Sequence, residues 1–415
     1  MTWLWFKPVL SRFELHKGPH QKTYKAYVVS ELQSVSLYFW ELGHEMANKI
    51  LKYILWRARV LANRIFGGVG EVRDNRNLDW EGISKPLQED PSDLGDIHKP
   101  TIEEYRMTYC VDGKVKTKYD WWYSAVLSDE KGNLFFFILS LHPSWSYYRF
   151  VDIGMDQSLK NRGSLPKFPM ERGDFRKEIG YSEHEDAINL WVPKNREPKS
   201  AKGSFVECTI KSGESRLILK TERMAMELDF TSMGVPFWIN RGREAIMSPK
   251  GDTMSGFWDI SKVEGFFERR MRETRMSGVG FNEHLFSLAP PLHFWQRVDG
   301  IFLYTDQIYC AFWHLENKIG TKRYEYKDGA VFIRETEEYL IPIDFEIEYL
   351  ELDDLKRPIK TRISANTTKG KLNVVARALA EAEKQLVLKI TDGQFVFEDG
   401  RRLKLTNGYG QHALW

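Results

Sequence analysis

Glu283 and its two polar neighbours are the residues of this sequence best suited to acid chemistry. Residues 278–284 read Gly-Val-Gly-Phe-Asn-Glu-His. A carboxylic acid in an apolar, ring-lined pocket has a raised pKa and stays protonated at neutral pH, so it can protonate a carbon–carbon double bond. We predict that Glu283 is the catalytic acid and that Asn282 or His284 positions water or tunes the carboxylate.

Strand geometry divides these three residues into two sets. Successive side chains of a strand point to opposite faces, so Glu283 should face one side, and Asn282 and His284 the other. Only one set should therefore enter a cavity. The alternative for Glu283 is a surface position or an ion pair, because structural ion pairs also perturb carboxylates. The arginines near enough in sequence for such a pair are Arg269, Arg270, Arg272 and Arg275.

Two carboxylates of the preceding segment, Asp259 and Glu264, are secondary acid candidates. Carboxylates that face each other share a proton, which raises the pKa of one of them. Either residue could act in this way if it faces Glu283. Exposure to solvent is the alternative for both.

A set of aromatic side chains is predicted to bind the substrate. Aromatic rings stabilise a developing carbocation by about 1 to 2 kcal/mol each when they are desolvated, although core packing is the alternative for any one of them. Trp121 and Trp122 are adjacent, so in a strand their side chains point to opposite faces and only one of them can lie inside the first barrel. The predicted set is Trp121, Trp122, Tyr123, Trp145, Trp238, Trp258, Trp295 and Trp313.

The end of the chain repeats the pattern around Glu283 with one change. Residues 408–412 read Gly-Tyr-Gly-Gln-His, against Gly-Phe-Asn-Glu-His at 280–284. Gln411 therefore stands where the first segment has Glu283. An amide has no proton to transfer near neutral pH, so Gln411 is predicted to be structural.

These residues lie in segments that read as antiparallel β structure. From about residue 103 the chain alternates strand-length apolar runs with turn signals such as Asp112-Gly113 and Ser212-Gly213, a pattern typical of meanders and not of βα units. We predict a helical extension and linker over 1–101 and two consecutive β domains, 102–245 and 246–415, with the chain passing between them near residues 235–255. Residues 374–384 have strong helical propensity, and their structure is left open.

An amphipathic helix is predicted over residues 32–66, ended by the glycines at 67, 68 and 70. Residues 46–66 hold five basic side chains and no acidic one. Such a helix either packs on the rest of the protein or lies on an anionic membrane surface. If residues 46–66 bind membrane, the protein should float with anionic liposomes at low salt and lose this binding at high salt, which screens the basic face. A protein that stays in solution at every salt concentration would contradict membrane binding and favour packing of this helix on the rest of the protein.

Composition excludes several other classes of protein. The 60 basic and 58 acidic residues nearly cancel, so no basic field for nucleic acid is expected. Three widely spaced cysteines and the lack of a secretory signal predict reduced thiols and a cytoplasmic protein. The histidine spacings match no metal site, the glycine segments lack the Lys-Ser/Thr of a phosphate loop, and Gly-x-Ser-x-Gly is absent. We therefore expect no metal and no cofactor.

Three segments together resemble the carotenoid 1,2-hydratase and AttH-like superfamily, which includes tocopherol-cyclase-like relatives. The stretch "YDWWYSAVLSDEKGNLFFFILSLHPSW" is similar to the opening hairpin of its first domain, and "FWDISKVEGFFERRMRETRMSGVGFNEHLF" to the start of its second. The terminal "VFEDGRRLKLTNGYGQHALW" is similar to its closing hairpin. One difference is Gln411, where relatives often have Glu.

The resemblance implies two consecutive lipocalin-like antiparallel β-barrels with a ligand cavity at or near their interface. It also implies an enzyme that hydrates or cyclises an isoprenoid or polyene by acid catalysis, without a cofactor and with an apolar small molecule as its partner. A carrier of a long apolar ligand and a pericyclic-reaction catalyst are the alternatives, since fold does not decide function.

Overall fold

The computed structural model describes most of the chain from Ile97 onward. The described residues are 97–106, 108–111, 114–141, 146–155, 165, 166, 168–175, 179–194, 204–239, 246, 247, 253–269, 271–287, 297–319, 322–382 and 385–414. The chain divides into two compact units, Met1–Glu71 and Val72–Trp415, and every described residue belongs to the second. The helix predicted over 32–66 lies outside the described residues.

Twenty-four strands and a short 3-10 helix, Ile102–Tyr105, make up the regular structure of these residues. The strands up to residue 247 are β1 Thr108–Val111, β2 Lys114–Asp129, β3 Asn133–Leu141, β4 Ser146–Met155, β5 Met170–Phe175, β6 Gly180–Glu183, β7 Ile188–Val192, β8 Phe205–Lys211, β9 Glu214–Lys220, β10 Met224–Ser232, β11 Phe237–Trp238 and β12 Ile246–Met247. The later strands are β13 Thr253–Arg269, β14 Arg272–Ser287, β15 Arg297–Tyr304, β16 Ile308–Ile319, β17 Lys322–Ile333, β18 Glu338–Leu340, β19 Pro342–Leu352, β20 Pro358–Thr367, β21 Gly370–Ala382, β22 Gln385–Phe397, β23 Arg402–Lys404 and β24 Tyr409–Leu414.

The first sheet contains β1 to β14 and is antiparallel throughout. Its main order is β5-β4-β3-β2-β14-β13-β10-β9-β8-β7-β6. The sheet curls on itself, because strands that are distant in this order meet across its inner face. The Phe150 ring of β4 lies 4.6 Å from that of Phe267 in β13, and the Tyr123 hydroxyl of β2 donates to Ser215 of β9 over 3.3 Å.

Alternation along the strands creates the inner core of the first sheet. In β9, for example, Ser215, Leu217 and Leu219 are buried while their neighbours are exposed or half-buried, which is the period of two expected of a sheet with one face on a core. Burial of apolar side chains on this face is the dominant favourable term in the folding of such a sheet.

The second sheet contains β15 to β24, in the main order β18-β17-β16-β15-β24-β22-β21-β20-β19. It also curls, since Phe312 of β16 contacts Phe345 of β19 with ring centroids 5.0 Å apart. Three polar side chains form a hydrogen-bonded cluster inside the second sheet. His412 Nε2 is 3.1 Å from Asp299 Oδ1, which also accepts a hydrogen bond from the Tyr349 hydroxyl.

The two sheets pack against each other through their outer faces. Trp258 of the first sheet stacks on Trp313 of the second with ring centroids 4.6 Å apart, and Phe281 stacks on Phe302 at 4.3 Å. These outer side chains of the first sheet belong to the same apolar cluster as the core of the second sheet. The inner core of the first sheet is a separate cluster.

The predicted fold class, two consecutive antiparallel β units, is confirmed by this architecture. The boundary between the sheets differs from the prediction, since the chain leaves the first sheet after Ser287 and enters the second at Arg297, not near residues 235–255. The reason is that β13 and β14 form a long hairpin whose β14 edge pairs with β2. Residues 374–382, left open above, lie in β21. Within the described ranges, no helix has the length and apolar run needed to cross a bilayer.

Candidate functional site

Glu283 lies on the outer face of the first sheet, between two tryptophans. In the register of three neighbouring strands, Trp122 of β2 pairs with Glu283 of β14, which pairs with Trp258 of β13. Side chains paired in this way share a face of the sheet. The indole Nε1 of Trp258 donates a hydrogen bond of 2.6 Å to Glu283 Oε2. We call these three residues the outer row.

The second sheet covers the outer row with aromatic rings. Trp313 stacks on Trp258, and Phe302 lies 6.0 Å from the Trp258 ring and 5.7 Å from that of Trp313. Trp313 lies across the backbone at Gly300, where an added Cβ would come within 2.9 Å of the indole. The glycine therefore provides the space in which Trp313 reaches the outer row. Glu283 itself is half-buried, so its carboxyl group sits at the margin of an apolar, ring-lined contact.

Several polar atoms are buried on these two faces without a hydrogen-bond partner among the described residues. They include the indole nitrogens of Trp122 and Trp313 and the amide oxygens of Gln385 and Gln411. Gln411 pairs in register with Phe302 and with Val387, and its Nε2 donates to the Tyr304 hydroxyl over 3.5 Å. Buried polar groups are normally paired with protein, water or a bound molecule. The interface is therefore equipped with polar atoms that neither sheet satisfies.

Asn282 and His284 lie on the opposite face of β14 from Glu283, as strand alternation predicts. Both are buried in the inner core of the first sheet. The His284 ring is stacked between Trp121, at 5.1 Å, and Tyr105, at 5.7 Å. The structure thus separates the three predicted catalytic residues into two places, so Asn282 and His284 cannot touch a molecule that contacts Glu283 at the interface.

Asp259 belongs to the inner set and is the most deeply buried carboxyl group near these residues, with 1% of its surface exposed. It pairs in register with Asn282, and Ser232 Oγ donates to its Oδ1 over 2.7 Å. Burial raises the pKa of Asp259 to about 7, although the Ser232 hydrogen bond and Lys99 oppose this rise. Asp259 does not face Glu283, and the condition for a shared proton is not met.

The remaining predicted residues fall into three groups. Trp121, Tyr123 and Trp238 line the inner core of the first sheet, and the Tyr123 hydroxyl accepts a hydrogen bond from Cys208 Sγ. Glu264 is exposed and forms an ion pair of 2.7 Å with Lys262. Trp145 and Trp295 lie outside the described residues.

Four residues at the contact between the sheets or in the inner core of the first sheet carry no sequence signal that distinguished them in advance. Phe281 and Phe302 are single rings in apolar strands, and Gln385 is an ordinary polar residue at the start of β22. Tyr105 enters the inner core from the 3-10 helix, at a point where the sequence predicts the start of the first β domain. For Gln411 a signal exists, because the repeat of Gly280–His284 at the end of the chain places it on the interface face, as Glu283 is. No group of three or more His, Cys, Asp or Glu side chains in the described part is arranged to hold a metal ion.

Gln411→Ala should lower the free energy of unfolding by about 1 to 2 kcal/mol, because it removes a buried amide and its hydrogen bond to Tyr304. Turnover by the folded protein should stay close to that of the wild type, since Gln411 has no proton to transfer. Urea unfolding measures the change in the free energy of unfolding, provided that its dependence on urea concentration is the same in both proteins. A loss of turnover at unchanged stability would instead assign Gln411 to the reaction.

No family model matches the chain, and no curated protein matches it. Solved structures similar to it include an AttH protein (NE1406) of Nitrosomonas europaea, at 12% identity and a TM-score of 0.45, covering 71% of this chain and 92% of that one. Kievitone hydratase of Nectria haematococca is similar at 10% identity and a TM-score of 0.48, covering 72% and 88%. CghA, in a crystal structure with Sch210972, is similar at 10% identity and a TM-score of 0.47, covering 71% and 87%.

Proposed function

We propose that this protein is an enzyme that hydrates or cyclises an apolar, unsaturated molecule at the interface of the two sheets, with Glu283 as the acid. The observation that carries the proposal is the outer row, in which Glu283 is paired in register with a tryptophan on each side and the contact around it is lined mainly by aromatic rings. The substrate class is an isoprenoid or polyene, and the reaction uses no cofactor.

The hydrogen bond from Trp258 gives the two oxygens of Glu283 different roles. In the protonated acid, Oε2 accepts from the indole, and the other oxygen carries the proton to one carbon of the double bond. The positive charge that forms on the second carbon is stabilised by the faces of Trp122 and Trp258. Water then adds to this carbon and returns a proton to the carboxylate, or a second double bond attacks it and a neighbouring C–H returns the proton.

Preorganisation is what the interface contributes to such a reaction. Trp258 is held by its stack on Trp313, so the indole that orients the carboxyl group does not need to be ordered when the substrate binds. Donors and rings fixed in advance are more effective than the same groups in water. The exposed margin at Glu283 provides the path by which water reaches the cation in hydration.

A carrier and a pericyclic catalyst are the two other classes that this interface would suit. Both need an apolar, ring-lined site, and neither needs a proton from Glu283. Lipid extraction of the purified protein followed by mass spectrometry identifies the bound molecule, which then serves as the probe.

The decisive experiment incubates that molecule with the protein in D2O. Acid catalysis should place one deuterium on a carbon of the product, because the proton that Glu283 transfers exchanges with solvent. A product formed without carbon-bound deuterium would contradict acid catalysis and indicate a pericyclic reaction. Recovery of the molecule unchanged would indicate that the protein is a carrier. Heat-unfolded protein is the control for spontaneous exchange.

A further inference from the structure

The inner face of the first sheet carries an ordered arrangement of side chains that the proposed reaction does not use. Across β13, β14 and β2 it forms three successive rows in register, which we call the inner rows. The first row is aromatic, the second contains a carboxylate and an amide, and the third has small side chains. They are Phe257, His284 and Trp121; then Asp259, Asn282 and Tyr123; then Ser261, Gly280 and Ala125.

Five polar atoms of these rows and of Tyr105 are buried without a hydrogen-bond partner in the described part of the chain. Four are oxygens, namely Asp259 Oδ2, Asn282 Oδ1, Ser261 Oγ and the Tyr105 hydroxyl, and the fifth is the indole Nε1 of Trp121. Directly paired residues on one face have their Cβ atoms about 5 Å apart, so the side chains of Asp259 and Asn282 are direct neighbours on the inner face. Burial and, after it, the charge of Asp259 raise the pKa of Tyr105.

Segment 97–106 closes this part of the inner face. Tyr105 meets Phe257 edge to face at 5.1 Å and stacks on His284. The segment is held by Trp238 Nε1, which donates to the His98 carbonyl over 2.8 Å, and by Ser212 Oγ, which donates to the Pro100 carbonyl over 2.6 Å. Rings therefore bound the carboxyl–amide row on one side, and the third row has only small side chains on the other.

We propose that the inner rows form a second binding site, for a small molecule with a protonated primary amine. A buried carboxylate is costly without a cation, and within the described residues no Lys, Arg or His side chain forms an ion pair with Asp259. The oxygens of Asp259 and Asn282 only accept hydrogen bonds, and those of Ser261 and Tyr105 can also accept. A primary ammonium has three N–H donors for such acceptors, and the adjacent aromatic rings attract its charge.

This site is distinct from the interface. The same three strands carry the inner rows on one face and Glu283 on the other, so a molecule in one place cannot contact the other across the sheet. Occupancy of the inner site therefore does not depend on whether the interface performs chemistry.

The test titrates the full-length protein with n-propylammonium and with its neutral counterpart 1-propanol, by calorimetry at about pH 8. At the highest affinity per atom that small ligands reach, the four non-hydrogen atoms of n-propylammonium would give a dissociation constant of about 40 μM, so the titration extends from micromolar to millimolar concentrations. We expect saturable binding of n-propylammonium, at least tenfold weaker binding of 1-propanol, and at least tenfold weakening of ammonium binding in Asp259→Asn. Asn282→Leu removes one acceptor while keeping the carboxylate, and it should weaken the ammonium by a similar factor.

Two controls separate this site from general charge effects and from the interface. Glu268→Gln removes a carboxylate from an exposed position of the same strand β13 and should leave ammonium binding within twofold of the wild type. Glu283→Gln should do the same, whatever it does to turnover. Equal binding of 1-propanol, undiminished ammonium binding in both Asp259→Asn and Asn282→Leu, or no saturable binding at all would overturn the proposal.

Discussion

Glu283→Gln should lower turnover of the bound unsaturated molecule by about a hundredfold or more while the molecule still binds. Glutamine has the shape of glutamate, and its amide oxygen can accept the hydrogen bond that Trp258 Nε1 gives to Glu283 Oε2. The stack of Trp258 on Trp313 and the apolar contact are therefore retained. What the variant lacks is the proton that adds to carbon.

Single-turnover kinetics and a binding isotherm with the extracted molecule measure the two quantities separately. Glu273→Gln is the matched control, since it makes the same chemical change at an exposed position of the same strand β14, and its turnover should be close to that of the wild type. Near-normal turnover in Glu283→Gln would mean that the reaction takes no proton from this residue. The pericyclic alternative would then explain any product that is formed.

Asp259→Asn should stabilise the protein, and by more at alkaline than at acidic pH. Burial raises the pKa of Asp259 from 3.8 to about 7, so between these values the folded state holds a proton that the unfolded state has lost. The wild type therefore loses stability as the pH rises from about 4 to about 7, and the penalty is complete above that range. The advantage of the variant should grow by about 3 kcal/mol between pH 4.5 and pH 8.5.

Denaturant unfolding of both proteins at the two pH values gives this difference directly. The amide can still accept the hydrogen bond that Ser232 gives to the carboxylate, so the substitution removes charge with little change in contacts. Glu268→Gln, exposed on the same strand, should show no comparable growth. A stability difference that does not change with pH would mean that Asp259 does not titrate in this range in the folded protein.

The strands and their faces could be predicted from the sequence because both depend on local patterns. Alternation separates Trp121 from Trp122, and the structure confirms it, with the first in the inner core and the second in the contact between the sheets. The same rule separates Glu283 from Asn282 and His284. In the repeat at the end of the chain, Gln411 and His412 likewise lie on adjacent positions of one strand, β24.

Pairing between distant strands could not be predicted from local patterns. The hairpin of β13 and β14 reads as the start of a second unit, yet its pairing with β2 makes it part of the first sheet. Residues 374–382 favour helix by propensity, but they pair with strands on both sides, and tertiary context overrides such a preference. Asp259 is buried and Glu264 is exposed because the curled sheet encloses one face and leaves the other outside. The sequence near either residue does not specify which face is enclosed.

Both sheets are completed by a strand that comes last in its own sheet, and this affects how the chain folds during synthesis. Ser128 of β2 contacts Ser277 of β14 across 149 residues of sequence, and Asp299 contacts His412 across 113. Contacts of such long range form slowly, and incomplete sheets expose apolar surface and strand edges. Until β14 has emerged from the ribosome, β2 has no partner on that side, and Trp122 stays uncovered until the second sheet has followed. Nascent chains that end before β14 should therefore depend on chaperones to remain unaggregated.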